Sequence, residues 1–298
     1  MDGVYTVING TGTPTRLQGT VQAAPNARPI ITGSDGYAPY IEVQNGAMLD
    51  GIWFGSGTKQ PADQPFVIKN DTTIRNCTLF GYYGGIVEGG GARNTIHGNR
   101  LVECGTGSLY HGIYISNGAA DHWTLIENNL FIGGAGYAVQ LWHEPSNCTI
   151  RRNFYGDNQW MLVVNGLGHT VRDEIMWSNR GVVGALLGCN YAGNPDDGLT
   201  SFDVQHVLTG AATQRTSCTM DANRICTNNT FYSGVPQTYG NNPHTVASVG
   251  GIDGTALNSA IASLRSAFVQ STAAIQADST IEGLFATCAA AVTTWSAA

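Results

Sequence analysis

A five-residue frame recurs through the middle of the chain. Thr95-Ile96-x-x-Asn99, Thr124-Leu125-x-x-Asn128 and Thr149-Ile150-x-x-Asn153 repeat it. Thr73-Ile74-x-x-Cys77 and Thr170-Val171-x-x-Glu174 keep the frame and change the polar residue. The fifth positions (77, 99, 128, 153 and 174) are 22, 29, 25 and 21 residues apart, and self-similarity at a period of about 20–30 residues marks a solenoid. The units are short β-branched and aromatic runs broken by Gly and Asn. They show neither the Leu density of a leucine-rich repeat nor the 3.6-residue stripe of a helical one. Stacked parallel β-coils remain. In such coils equivalent inward side chains form ladders, and an Asn at 99, 128 or 153 is expected to satisfy its amide through the neighbouring turns.

The 298-residue chain is long enough to bury a large core. With 39 Gly, only 12% charged residues and just two lysines, Lys59 and Lys69, it reads as turn-rich β structure with a neutral polar surface. A formal net charge of −7 disfavours nucleic acid as a partner and means that a polyanion would have to be held by a local cluster of cations. No apolar run reaches membrane-spanning length, so no membrane partner is expected. Met1-Asp2-Gly3 leads straight into a β-like segment rather than a signal peptide. The seven cysteines have no metal-ligand spacing; Cys77 and Cys148 read as small buried residues, and Cys218 and Cys226 flank a turn that a disulfide would close.

The repeat occupies residues 1–252, read as one β-helix domain, and fades beyond 209. From Thr255, Leu257, Ile261, Leu264 and Phe268 fall at helical spacing, and a second helical piece from Thr280 to Trp295 carries Ile281, Leu284, Phe285 and Cys288. Residues 253–298 are therefore expected to form a helical segment that caps the open end of the last coil, whose apolar side chains and backbone groups need a cover.

Between Pro29 and Leu208 the repeat resembles the right-handed parallel β-helix proteins of the pectate-lyase-like superfamily, which includes polysaccharide lyases, polyuronate epimerases and phage tailspikes. The fold class expected is thus all-β, a single right-handed parallel β-helix with a C-terminal α-helical cap. The resemblance also implies a secreted or periplasmic protein with a polysaccharide as its partner.

A β-helix has no cleft of its own, so a site must lie on outward positions of one sheet and the loops beside it. Aligning four strands on Gly85, Gly112, Ala138 and Met161 places Val87, Tyr114, Gln140 and Val163 in one outward row, with Gly89, Ser116, Trp142 and Asn165 two positions on. Tyr110, His111, Tyr137, His143 and Glu144 flank it. Aromatic faces stack on pyranose rings while amides and hydroxyls bond sugar hydroxyls, so Tyr110, Tyr137, Gln140, Trp142, His143 and Asn165 are the candidate substrate-binding residues.

The reaction the resemblance implies is removal of the proton α to a uronate carboxylate, giving a lyase or a C5-epimerase. That chemistry needs a base, an acid and a group that neutralises the carboxylate. His111 and Tyr114 are the candidates for acid and base, and Arg151 or Arg152, or Gln140 with Asn165, for neutralisation. Two alternatives stand beside it: a non-catalytic carbohydrate-binding or tailspike-like adhesion module, and a glycoside hydrolase, which needs a carboxylate pair from among Glu88, Asp121, Glu127 and Glu144. The chain departs from the resembling families in having no Asp-Pro-His-Glu stretch and no Arg and Asp ladder for Ca²⁺. No cofactor or metal is called for by any motif; Asp196-Asp197, the one acidic pair a Ca²⁺ site would need, reads as a solvated turn.

Overall fold

A computed structural model of the chain describes residues 4–7, 15–33, 41–60, 66–105, 110–116, 121–142, 145–177, 187–188, 202–210, 224–227, 229–232, 243–246, 251–267 and 278–297. Among the described residues three parallel sheets run side by side along one axis: sheet A with 11 strands, sheet B with 8 and sheet C with 9. Each coil visits them in the order A, B, C. One such coil is Thr78–Tyr82 in sheet A, Ile86–Gly89 in sheet B and Thr95–His97 in sheet C, after which Arg100–Val102 begins the next coil beside the first.

The inward side chains form one continuous core of Ile, Leu, Val and Phe from Ile41 to Val207. Ile74, Ile96, Ile126, Ile150 and Val171 stack in register through sheet C, all fully buried. This stacking moves one repeat from where its frame reads. Thr95-Ile96-His97 pairs with Leu125-Ile126-Glu127, not with Thr124-Leu125-Ile126, so the ladder residue of that coil is Asn129 rather than Asn128. Asn128 instead occupies the corner position, at φ 56°, where Asn76, Gly98, Arg152 and Asp173 sit in the other coils, all at positive φ. A short Asn side chain and Gly tolerate that left-handed backbone best.

The ladder is then continuous. Asn99 Oδ1 accepts the Cys77 N–H at 3.0 Å, Asn129 Oδ1 the Asn99 N–H at 2.9 Å, and Asn153 Oδ1 the Asn129 N–H at 2.9 Å. Glu174 closes the series by accepting the Asn153 N–H at 3.0 Å. Cys77 and Cys148 are buried free thiols, and burial pushes the Cys77 thiol up to about 12. Cys218 lies outside the described residues, so the Cys218–Cys226 pairing does too.

Both expected helices are present, at Gly254–Ala267 and Ile281–Ser296. What they cover is the flank of the solenoid. Leu257, Ile261, Leu264, Phe285, Cys288, Val292 and Trp295 pack with Trp53, Phe80, Val102, Leu130, Ile132, Phe154, Ile175 and Trp177, the outward residues of sheet A, in a second core. The outer face of sheet A is apolar along its length, and a face of that size exposed to water demands a cover of its own. Polar ties fix the helices there: Arg265 to Glu103 at 2.6 Å, Arg100 to Glu282 at 2.8 Å, and Trp177 Nε1–H to Asn258 Oδ1 at 2.9 Å. With sheet A covered, sheets B and C are the faces left for ligands.

Candidate functional site on the outer face of sheet B

The strands Phe66–Ile68, Ile86–Gly89, Ile113–Ser116, Tyr137–Trp142 and Trp160–Val164 stack so that Val67, Val87, Tyr114, Gln140 and Val163 share one register position. Gly89, Ser116 and Trp142 share another, two residues further on, and Asn165 follows Val164 beside Trp142. The outward rows are those expected, because alternation along each strand and equal strand starts fix the facing.

At the strand starts the aromatic residues pack against one another from coil to coil, with their planes tilted by 48–49°. The His111 ring lies 5.3 Å from Tyr137 and 5.6 Å from Tyr114, and Tyr137 lies 5.3 Å from Trp160. Tyr110 meets Tyr83 edge-on at 5.6 Å. The corner beneath them is tight: a Cβ on Gly85 would sit 2.0 Å from the Gly112 carbonyl oxygen, so only glycine lets the coils approach there.

His111 is buried and accepts the Tyr137 backbone N–H at Nδ1, 3.2 Å away. Burial depresses its pKa to about 4, so the ring is neutral and its proton sits on Nε2. Burial raises the Tyr114 phenol, which keeps its proton. Both groups therefore present hydrogen-bond donors at neutral pH, and neither is set up as a base.

Gln140 and Asn165 point outward by alternation yet are only 4% exposed. Trp142 and Tyr110 are half-buried. His143 and Glu144 fall outside the described residues. Arg151 does not join this surface. It is on sheet C, where its guanidinium pairs with Glu127, and Arg152 sits at the corner 3.9 Å from Asp173. The Thr-Ile-Arg run gives no hint of which of three sheets it joins, and only the coil path decides it.

The carboxylates are also dispersed. Glu88 faces inward beneath sheet B, where its Oε2 accepts from Asn94 Nδ2 at 2.7 Å and Thr124 Oγ1 at 2.6 Å. Burial raises its pKa to about 7. Asp121 accepts from Asn147 Nδ2 at 2.8 Å. These give no facing acid pair on sheet B among the described residues. Among the same residues, no group of three or more His, Cys, Asp or Glu side chains is placed to hold a metal. No described helix is long and apolar enough to cross a membrane.

One residue of this face, Lys69, is all but excluded as a base by the sequence reading, because it ends an early strand. Lys69 follows the strand Phe66–Ile68, and because Ile68 is in register with Glu88, Lys69 falls beside Gly89 on the outer side. Continuing the alternation past that end would have placed it.

These features define a right-handed parallel β-helix with an aromatic- and amide-lined face on sheet B. The family description "Right handed beta helix region" matches residues 65–155. Among solved structures, the chain is similar to the pectate lyase Pel9A at TM-score 0.54 and 12% identity, covering 85% of this chain and 68% of that one. It also aligns with the PL6 family alginate lyase AlyGC at TM-score 0.34 and 9% identity, covering 82% of this chain and 49% of that one. No curated protein sequence matches the chain. The likeness to the pectate-lyase-like β-helix proteins thus holds at the level of the fold.

Proposed function

We propose that the chain is a carbohydrate-active β-helix protein that binds a polysaccharide across the outer face of sheet B. The observation that carries this reading is the register row Val87–Tyr114–Gln140–Val163 beside the contiguous, mutually tilted rings of His111, Tyr137 and Trp160. Ring faces supply stacking area, while the Tyr114 hydroxyl, the His111 Nε2–H and the Gln140 amide supply directional bonds to hydroxyl groups. Sheet C does not compete well. Its outward ladder of Asp50, Arg75, His97, Glu127, Arg151 and Arg172 has carboxylates and guanidiniums already paired with one another.

The second reading is a polysaccharide lyase or C5-epimerase acting on uronate-containing glycans. It is favoured by the fold shared with a pectate lyase and by Tyr114 as a proton donor beside His111. Arg151 cannot serve it; Lys69, and Arg16 two coils further toward the N-terminus beside Glu42, are described cations on sheet B that would act as base or neutralise a carboxylate.

Titration calorimetry with a panel of neutral and acidic polysaccharides tests the first reading. Tyr114→Ala and Trp142→Ala should weaken binding about fivefold or more, since stacking and hydrogen bonds of this kind are each worth ~1 kcal/mol or more. Arg151→Ala, on sheet C, should leave it unchanged. Binding lost in the sheet C variant and kept in the sheet B variants would overturn the assignment. Ultraviolet absorbance of the same mixtures tests the second reading: a lyase generates an unsaturated uronate, and Tyr114→Phe should slow its appearance with little change in affinity.

A further inference from the structure

Two residues before each sheet C strand the chain turns through a left-handed corner. Register places Gly46, Asp71, Arg93, Trp123, Asn147 and Gly168 in one row along this edge, where sheet B gives way to sheet C, and all have positive φ. Four of these six are Gly, Asn or Asp, the residues that tolerate such a backbone best. Arg93 is held there by two hydrogen bonds to Asp71, each of 2.7 Å. Trp123, at φ 51°, has no such compensation. A bulky aromatic at positive φ is an outlier. Its indole is also 61% exposed, and among the described residues no hydrogen bond or ring contact engages it.

The backbone that carries it is nevertheless fixed. His122 and Thr124, on either side, are fully buried. His122 Nε2–H donates to the Ser116 carbonyl at 3.1 Å, its Nδ1 accepts the Ser146 N–H at 3.3 Å, and the Thr124 hydroxyl donates to Glu88 Oε2 at 2.6 Å. The Nε2 bond ties this corner to the end of the sheet B strand that carries Tyr114. Two coils on, His169 makes the same pair of bonds, from Nε2–H to the Asn165 carbonyl at 2.8 Å and from the Cys148 N–H to Nδ1 at 3.2 Å, but there the corner residue is Gly168. A costly backbone and an exposed apolar ring on a rigid anchor do not serve stability. They suit a surface presented to a ligand.

Taking the outer face of sheet B as the polysaccharide site, we infer that Trp123 extends it to the corner between sheets B and C, as a platform on which one pyranose ring of the bound chain stacks. The C–H face of a pyranose matches an indole face, and the hydroxyls at its rim need polar partners. Such groups stand one coil, about 4.8 Å, to either side: Arg93 with Asp71, and Asn147, whose Nδ2 donates to Asp121 at 2.8 Å. The same surroundings do not suit a protein partner. A stable protein interface is built around a contiguous apolar centre. Of the other exposed large apolar side chains described, Leu167 lies two coils along the edge, past Asn147, and Val21 lies on the sheet C strand Thr20–Gln22.

Trp123→Asn separates a binding role from a structural one. It puts at this corner the residue that the next coil has there, so the melting temperature should equal or exceed the parent's. Calorimetric affinity of the whole chain for a soluble neutral hexose polymer or a polyuronate, whichever the parent binds, should fall about fivefold or more. Trp123→Phe, which keeps a ring, should recover part of that loss. The bound polymer should also shield tryptophan emission from acrylamide in the parent, and less so in Trp123→Asn. An unchanged affinity in Trp123→Asn would overturn this inference and leave sheet B as the polysaccharide site. If the parent binds neither polymer, the polysaccharide reading fails and the inference with it. A melting temperature several degrees below the parent's would make the indole a structural residue and overturn the inference. Self-association of the parent that Trp123→Asn abolishes, seen by sedimentation, would overturn it in favour of a second copy of the chain.

Discussion

Asn153 sits one coil beyond Asn129, with its Oδ1 3.0 Å from Asn129 Nδ2 and 2.9 Å from the Asn129 N–H. One amide thus satisfies a side chain and a backbone donor of the preceding turn, and its own Nδ2 donates to the Ile126 carbonyl of that turn at 3.1 Å.

Removing a rung strands both groups. Asn129→Ala should destabilise the protein by about 3 kcal/mol, because the Asn99 N–H and Nδ2 lose their acceptor in a buried corner. Asn128→Gly should be close to neutral, since the left-handed corner suits glycine. Urea unfolding of the two variants checks this. A large loss for Asn128→Gly with little for Asn129→Ala would mean that Asn128, not Asn129, carries the ladder.

Acid should loosen the corner at Asn165. His169 is held at about 4 by burial, against about 6.5 in an unfolded chain. Between those values the unfolded chain binds more protons, so stability rises with pH across the window. Its contribution is whole above 6.5 and is lost as pH falls toward 4, at about 1.4 kcal/mol per pH unit. His111, also pushed down to about 4, behaves alike. His169→Gln should therefore show a shallower fall in stability between pH 6.5 and about 4.5 than the parent. An unchanged slope would show that His169 does not titrate in this way.

Glu174 works in the opposite sense. Burial raises its pKa to about 8, so the folded carboxyl keeps its proton while the unfolded one loses it above about 4.5. Stability falls as pH rises from there to about 8. Glu174→Gln, which keeps the shape and removes the charge, should gain on the parent as pH rises through this range. Melting temperatures near pH 5 and pH 8 measure it, and the difference should be larger at the higher pH.

The helical flank contributes packing rather than chemistry. Phe285 is buried between the ring of Phe80 at 6.3 Å and the guanidinium of Arg100 at 4.6 Å. Phe285→Ala should cost about 3–5 kcal/mol as a cavity in the second core. If the helices detach before the coils unfold, fluorescence of Trp53 and Trp177 should change ahead of the far-ultraviolet signal of the sheets; a single coincident transition would make helices and coils one cooperative unit.

The sequence by itself determined the period, the parallel coils and the outward row of Tyr114 and Gln140, because facing in a strand follows from alternation that is local to each segment. It also placed the two helices, whose apolar spacing is local as well. What it left open depends on how coils stack. Leu125 and Ile126 are both apolar and 128 and 129 are both Asn, so only register with Ile96 and Ile150 decides that Ile126 faces in and Asn129 forms the rung. Likewise the path of the coil, not the run Thr149-Ile150-Arg151, sends Arg151 to sheet C and its charge to Glu127. The helices' seat on sheet A and the burial of Gln140 and Asn165 were decided by the tertiary structure too. They rest on contacts between residues a coil or more apart in the chain, which no local pattern records.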